Sequence, residues 1–201
     1  MDDRAKAIQT AQRWMKDDPL FLDTETTGLD GQAEICELSV IDAGGSVLMD
    51  TLIRPLRPIS REVTSIHGIT DTMAAEAPTF ADVLPELQKA LYRRNVIIYN
   101  VTYDVRLIEQ SARAHGLNPD VTCEAWYCAM RLYAQFYGKW SEKHNSYHWQ
   151  QLGNAARQCG IDLPRHLHRA RVDAELTRQI VKHIADDEKD HRQLRILEDV
   201  L

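Results

Sequence analysis

A chain of 201 residues, 44% of them hydrophobic and 27% charged, can bury one sizeable core and suits a single main domain. No apolar run is long enough to cross a bilayer, and Met1 to Asp18 lacks the continuous apolar stretch of a secretory signal, so the expected setting is soluble, intracellular and cytoplasmic. A net charge of −6 argues against coating long nucleic acid by phosphate neutralisation, while leaving room for an enzyme that grips only a strand end.

In chain order, residues 3–16 predict a short helix with Ala7, Ile8, Ala11, Trp14 and Met15 on one side, stopped by Pro19. A buried strand begins at Leu20–Asp23. Glu34–Asp42 and Ser46–Ile53 read as two more strands, joined by a tight turn at Gly44-Gly45. Ser60 caps a short helix that runs to His67 and closes at Gly68. A further helix is expected from Thr79 to about Tyr92, with Pro85 able to bend it. Asn95–Tyr99 is a strand and Thr102–His115 a helix closed by Gly116; Val121–Trp126 is the last strand. Helices follow over Tyr127–Tyr137, Trp149–Cys159 and Ala170–Ala185, with a polar loop between Gly138 and Ser146. The order implies an α/β fold: one mixed sheet flanked by helices, with a helical extension over 1–18, a main domain over 19–185 and a helical tail over 186–201. In that tail Leu194, Leu197 and Leu201 fall at helical spacing. The cysteines Cys36, Cys123, Cys128 and Cys159 form no C-x-x-C pair and read as buried free thiols.

Three segments place acids where a core should begin. In Leu20-Phe21-Leu22-Asp23-Thr24-Glu25-Thr26-Thr27-Gly28-Leu29, strand alternation puts Phe21, Asp23 and Glu25 on one face, the two carboxylates roughly 7 Å apart along the strand. Two acids at the end of a buried strand need compensation, which hard Mg²⁺ or Mn²⁺ supplies well; two solvated acids would give the same pattern. Gly28 would let the backbone turn sharply. Asp104 shares a helical stripe with Leu107, Ile108, Ser111 and Ala112 and so points inward, unlike the usual solvent-facing acid at a helix N-terminus. Asp173 likewise starts an apolar stripe through Leu176, Thr177, Ile180 and Ile184, and His168 lies five residues before it. A lone histidine is usually ordinary; beside an inward-facing acid it is a candidate proton acceptor. Together these residues fit a site for two divalent ions, which can clamp both the attacking and the leaving oxygen of a phosphodiester.

The three segments resemble the Exo I, Exo II and Exo III motifs of the DEDD (DnaQ-like) 3′→5′ exonucleases: Asp23-x-Glu25-Thr26-Thr27-Gly28, Asn100-x-x-x-Asp104 and His168-x₄-Asp173. The histidine five residues before the last aspartate resembles the DEDDh branch; the tyrosine branch has Tyr at position 169, where this chain has Arg169. The stretch from Pro58 to Thr70, with Ile66-His67-Gly68-Ile69, is also similar to a family segment. The second motif departs by reading Asn100-Val101-Thr102-Tyr103-Asp104, with Tyr103 adding a hydroxyl to the usual ring. The resemblance implies an RNase H-like fold with a mixed, roughly five-stranded sheet, and release of nucleoside 5′-monophosphates from a 3′ end. It also implies that Asp23 bridges two Mg²⁺ or Mn²⁺ ions, that Glu25 and Asp173 hold the first and Asp104 mainly the second, and that His168 takes the water proton. Thr26, Gly28 and Leu29 would lie near the terminal nucleotide, with Leu29 as a wedge, and His67 and Tyr103 would touch sugar or base.

Arg165, Arg169 and Arg171 could attract phosphate locally or simply form a solvated turn. Trp140, Tyr147 and Trp149, interleaved with Lys139, Lys143 and His148, could stack a single strand, although Leu152 and Ala156 at helical spacing favour Trp149 as a cap on the core. The expected substrate is a nucleic acid with a free 3′ end, with single-stranded DNA favoured over RNA. A haloacid dehalogenase-type phosphatase is similar at Asp23 but needs a second Asp where Glu25 stands, and leaves His168 unused. The other rival is a polymerase or repair subunit acting mainly through partner binding, whose flanking segments would dock through Trp14, Met15, Leu194, Leu197 and Leu201. Such scaffolds usually lose acids that this chain retains.

Overall fold

The computed structural model describes residues 2–164 and 168–198, with side chains through Asp187 in the last helix. The readings of Arg165, Leu194, Leu197 and Leu201 lie outside the described side chains. The first helix, α1 (Asp3–Lys16), is capped by the Asp2 carboxylate and buries Ala7, Ile8, Ala11 and Trp14, the stripe its spacing predicts. Three strands follow: β1 (Leu20–Thr26), β2 (Ile35–Ile41) and β3 (Val47–Leu52). The turn between β2 and β3 uses Gly45 at φ +91°, with Asp42 N–H donating to the Ser46 carbonyl at 2.9 Å.

Next come α2 (Arg61–His67), α3 (Asp71–Ala74), α4 (Phe80–Leu91), β4 (Asn95–Ile98), α5 (Val101–Ala114), β5 (Ala125–Cys128) and α6 (Ala129–Tyr137). The chain ends in a small hairpin of β6 (Trp140–Ser141) and β7 (Ser146–Tyr147), then α7 (Leu152–Gln158) and α8 (Ala170–Glu198). The main sheet has five strands in the order β3-β2-β1-β4-β5, antiparallel across β3, β2 and β1 and parallel across β1, β4 and β5.

Alternation along β1 divides the core. Phe21 joins Ile41 and Ile97 under α1, α6 and α8, where Trp14, Tyr133, Phe136 and Ile180 pack. Leu20 and Leu22 face the other way, onto Phe80 and Leu87 of α4 and Leu107 and Ile108 of α5. The period of two therefore sends Asp23 and Glu25 toward α8, and Thr24 toward α5. Among the described residues, no helix is long and apolar enough to cross a membrane.

Several local expectations need correction. The last strand of the main sheet lies at Ala125–Cys128, later than Val121–Trp126, because pairing with β4 rather than composition sets its register. The polar stretch expected as a loop holds the β6–β7 hairpin, where Trp140 and Tyr147 meet edge to face at 5.1 Å between ring centroids. The helix expected from Trp149 starts only at Leu152, and Trp149 is 64% exposed, so it does not cap the core. The last helix continues past Ala185 without a break in its backbone.

Candidate active site

Asp23 and Glu25 leave the C-terminal end of β1 on the face that α8 covers, and α8 brings Asp173 down from its first turn. The three carboxylates offer oxygens that all lie within 4.8 Å of one another. Asp173 is buried, and its Oδ1 has no hydrogen-bond partner. A buried, unpartnered carboxylate oxygen facing two more acids is expensive without a cation. That donor set fits a hard divalent ion, which takes carboxylate oxygens and would supply the missing partner.

Asp104 approaches from the opposite face. It sits in the first turn of α5, 4% exposed, and its Oδ1 accepts a hydrogen bond from the Thr24 hydroxyl at 2.7 Å. Its place outside the three-carboxylate group follows from strand geometry: Thr24 turns away from Asp23 and Glu25 and meets α5 instead. The charge of Asp104 is nevertheless the largest of the neighbouring charges acting on Asp23. All four acids therefore belong to one electrostatic site.

That site holds its protons tightly. Burial is the first cause throughout. It raises Asp23 well above the usual carboxylate range, reinforced by Asp104, Asp173, Glu25 and Glu37. Glu25 is pushed up to about 8 by burial, then by Asp173, Glu37 and Asp104. Asp104 rises to about 7, with the Thr24 hydroxyl opposing burial, and Asp173 is raised with His168 opposing. Asp23 and Glu25 keep a window to solvent, yet the protein packed around them removes most of their hydration.

His168 stands just before α8, with Nδ1 3.9 Å from Asp173 Oδ2 and a side chain 54% exposed. Its backbone is left-handed, at φ +63°, which costs a non-glycine residue roughly 1–2 kcal/mol. Strain held beside a cluster of acids is a recurrent mark of a functional position. His168 and Asp173 border a cavity of about 740 Å³, with Asn100, Ile66, Trp149 and Arg157 around it. The predicted pairing of the third segment with the first is thus present in three dimensions.

The expected substrate contacts divide. Leu29 is 58% exposed at the tip of a loop closed by two hydrogen bonds between Thr27 and Glu34. Thr26 and Tyr103 brace that loop: the Thr26 hydroxyl donates to the Gly28 carbonyl at 2.8 Å, and the Tyr103 hydroxyl lies 3.4 Å from the Thr26 hydroxyl. Gly28 is not in the left-handed region, so the sharp-turn argument fails. A Cβ there would meet nothing within 4 Å, which leaves its surface open to a ligand. His67 is buried with both ring nitrogens committed to the chain. Nδ1 accepts from the Ile69 N–H at 3.0 Å, so Nε2 carries the proton and donates to the Thr26 carbonyl at 3.0 Å. Burial is the main cause lowering its pKa, in keeping with the neutral ring this pairing needs.

Sequence reasoning passed over Glu37. It is buried in β2 directly across from Glu25, a like-charge pairing that needs an offset. Arg169 provides it, bonding both Glu37 oxygens through its guanidinium, while the Ala170 N–H donates to Oε2 at 2.9 Å. Glu37 thereby pins the first turn of α8 between His168 and Asp173. The signal was a single glutamate inside the apolar run Ile35-Cys36-Glu37-Leu38. Glu37→Ala is expected to destabilise the protein by about 2–3 kcal/mol, because it strands the Ala170 N–H and a half-buried guanidinium. A thermal melt would read this as a fall of roughly 4–12 °C. An unchanged melt would show that relief of repulsion with Glu25 balances the loss.

A family model described as exonuclease, of the RNase T type, matches residues 20–181. The chain belongs to this exonuclease family. An uncharacterized exonuclease, CP81, of Escherichia phage 186 is 40% identical over 185 residues, covering 90% of this chain and 95% of the relative. The structure of exonuclease X in complex with 5′ overhanging duplex DNA superposes with a TM-score of 0.63 at 26% identity, over 84% of this chain and 91% of that one. The nuclease domain of 3′hExo, a DEDDh family member bound to rAMP, shares the fold with a TM-score of 0.68 at 19% identity, over 85% and 92% of the two chains. The mixed sheet of this exonuclease is thus the RNase H-like one, and the expected DEDD (DnaQ-like) exonuclease family membership holds. A haloacid dehalogenase-type phosphatase is excluded, and the chain is a nuclease of the hydrolase class.

Proposed function

We propose that this exonuclease removes nucleotides one at a time from the 3′ end of a DNA strand that is unpaired where it is cut, using two divalent ions. The observation that carries the reading is the convergence of Asp23, Glu25 and Asp173 within 4.8 Å, with Asp104 bearing on Asp23 and His168 at the mouth of the adjoining cavity. Asp23, Glu25 and Asp173 would hold one Mg²⁺ or Mn²⁺, and Asp23 with Asp104 the other. Bound there, such ions neutralise the phosphate and lower the pKa of water.

His168 Nδ1 faces Asp173, so Nε2 is the nitrogen left to accept the proton of the attacking water. The attack breaks the bond between phosphorus and the 3′-oxygen, and the 5′-mononucleotide leaves. Leu29, exposed on a loop braced by Thr26 and Tyr103 and open at Gly28, would wedge against the terminal base. His67 acts as a positioning residue that fixes the Thr26 carbonyl. Trp149, exposed at the cavity rim, offers a face on which a base can stack. DNA is preferred over RNA in this reading because exonuclease X, at 26% identity, was captured on DNA.

The test is a 5′-labelled oligodeoxynucleotide incubated with Mg²⁺ or Mn²⁺ beside the matching oligoribonucleotide. The expected result is a ladder descending by single nucleotides from the 3′ end, faster on DNA, with 5′-mononucleotide as product. Internal fragments as first products, or mononucleotide from the 5′ end, would overturn the polarity.

A further inference from the structure

We infer that the β6–β7 hairpin and Trp149 form a second binding site, which holds the single strand on the 5′ side of the bond being cut. This rests on the exonuclease reading above and assigns a place to the nucleotides that are still to be released.

Trp149 borders two spaces. One is the cavity of about 740 Å³ that His168 and Asp173 also line. The other, of about 320 Å³, belongs to the hairpin and is lined as well by Ser141, His144, Ser146, Tyr147 and His148. Among the described residues, Trp149 is the one lining residue that the two have in common. The exposed indole is therefore the wall between the candidate active site and the hairpin.

The hairpin cavity has the chemistry of a site for an unpaired strand. Tyr147 and Trp149 offer aromatic faces, and His144 and His148 offer flat rings with hydrogen-bonding nitrogens. No carboxylate lines it among the described residues; Glu142 stands exposed in the turn, beside Lys143. In a chain of net charge −6, an acid-free aromatic cavity that adjoins the catalytic one suits bases and phosphates.

The site is held at both ends. Trp140 pairs with Tyr147 and Ser141 with Ser146 across the hairpin, and the His148 N–H donates to the Lys139 carbonyl at 2.8 Å. The turn puts Asn145 at φ +46°, a left-handed conformation that asparagine tolerates better than most residues. The Tyr147 hydroxyl donates to Asp3 Oδ2 at 2.6 Å, and the Gln135 amide donates to the Asp3 carbonyl at 3.1 Å. The first turn of α1, which precedes the residues matched by the family model, thus ties the hairpin to α6. On the other side of Trp149, the Tyr99 hydroxyl donates to the Gln150 carbonyl at 2.7 Å. Tyr99 adjoins Asn100, the residue that opens α5 and leads to Asp104.

The reaction sets the direction of the strand. Only the nucleotide being released lies 3′ of the bond that is cut. A strand whose end is held at Asp173 reaches past Trp149 only with nucleotides on the 5′ side.

His144 and His148 are exposed, so H144A/H148A should melt with the parent protein. Binding is measured by titration calorimetry on a D23N background, which needs no turnover. The probes are a thymidine trinucleotide and a long oligothymidylate, both unlabelled. The expected result is at least about fivefold weaker binding of the long strand and less than about twofold change on the trinucleotide. Equal weakening on both would assign the hairpin to the terminal nucleotides and overturn the inference, as would no weakening on either. Turnover by the wild-type protein is scored separately: its absence would strike the exonuclease reading while the binding comparison still stands.

Discussion

Asp23→Asn is expected to abolish strand shortening and, in the same protein, to make the metal-free form harder to melt at neutral pH. The two effects have one origin. Burial and the charges of Asp104, Asp173, Glu25 and Glu37 all bear on Asp23, so under the proposed two-ion reading it would carry both metal affinity and much of the repulsion. An amide keeps the shape and removes the charge. Added Mg²⁺ or Mn²⁺ should raise the melting temperature of the wild type and leave the variant nearly unmoved.

The sign of the pH dependence follows from raised carboxylate pKa values. Glu25 at about 8 and Asp104 at about 7 keep their protons in the folded state long after the unfolded chain has lost them. Their stabilising contribution is complete below the unfolded values, near pH 4, and is lost as pH rises through about 8. Metal-free wild type should therefore melt progressively lower from pH 5 to pH 8, and the variant should follow a flatter line. At pH 7.5 the gap is expected to be on the order of 2 kcal/mol, or roughly 4–8 °C. Variant and wild type with identical, flat profiles would mean that the acids are not close enough to repel, and the two-ion reading would go with them.

How far the sequence reaches is seen best in residues that share a segment. Alternation in β1 correctly assigned Asp23 and Glu25 to one face, because a strand inside a sheet has only two faces and Phe21 had to be buried. Helical stripes did the same for Asp104 and Asp173, each one turn ahead of apolar residues that pack on the sheet. Thr24 was invisible by the same logic: its value lies in a hydrogen bond to a residue 80 positions away, which no local period encodes. Glu37 sits at a regular strand position, but its partner, the start of α8, is 132 residues on. His67 shows a third limit. Spacing placed it correctly at a helix end, yet only the fold reveals that both of its nitrogens serve the backbone. The β6–β7 hairpin is held by backbone pairing, an aromatic pair and a Tyr147–Asp3 hydrogen bond, against a polar composition that reads as loop.

His168→Gly separates a proton acceptor from a residue that merely keeps α8 in place. Glycine adopts φ +63° without strain, so the substitution relieves the backbone while deleting the imidazole. The melting temperature should fall by no more than about 2 °C, since lost strain and added chain entropy oppose each other. Asp23, Glu25 and Asp173 remain, so metal binding by titration should be unchanged. The turnover number is expected to drop by about 10²–10⁴-fold, the usual worth of a general base, with little change in KM. Because the side chain was half exposed beside an open cavity, imidazole from solution can enter the space it vacates. Added imidazole should restore part of the rate in the glycine variant and none in Asp23→Asn. A full rate without imidazole would remove His168 from the chemistry. A loss that imidazole cannot mend, joined to weaker metal binding, would make it a positioning residue for Asp173 instead.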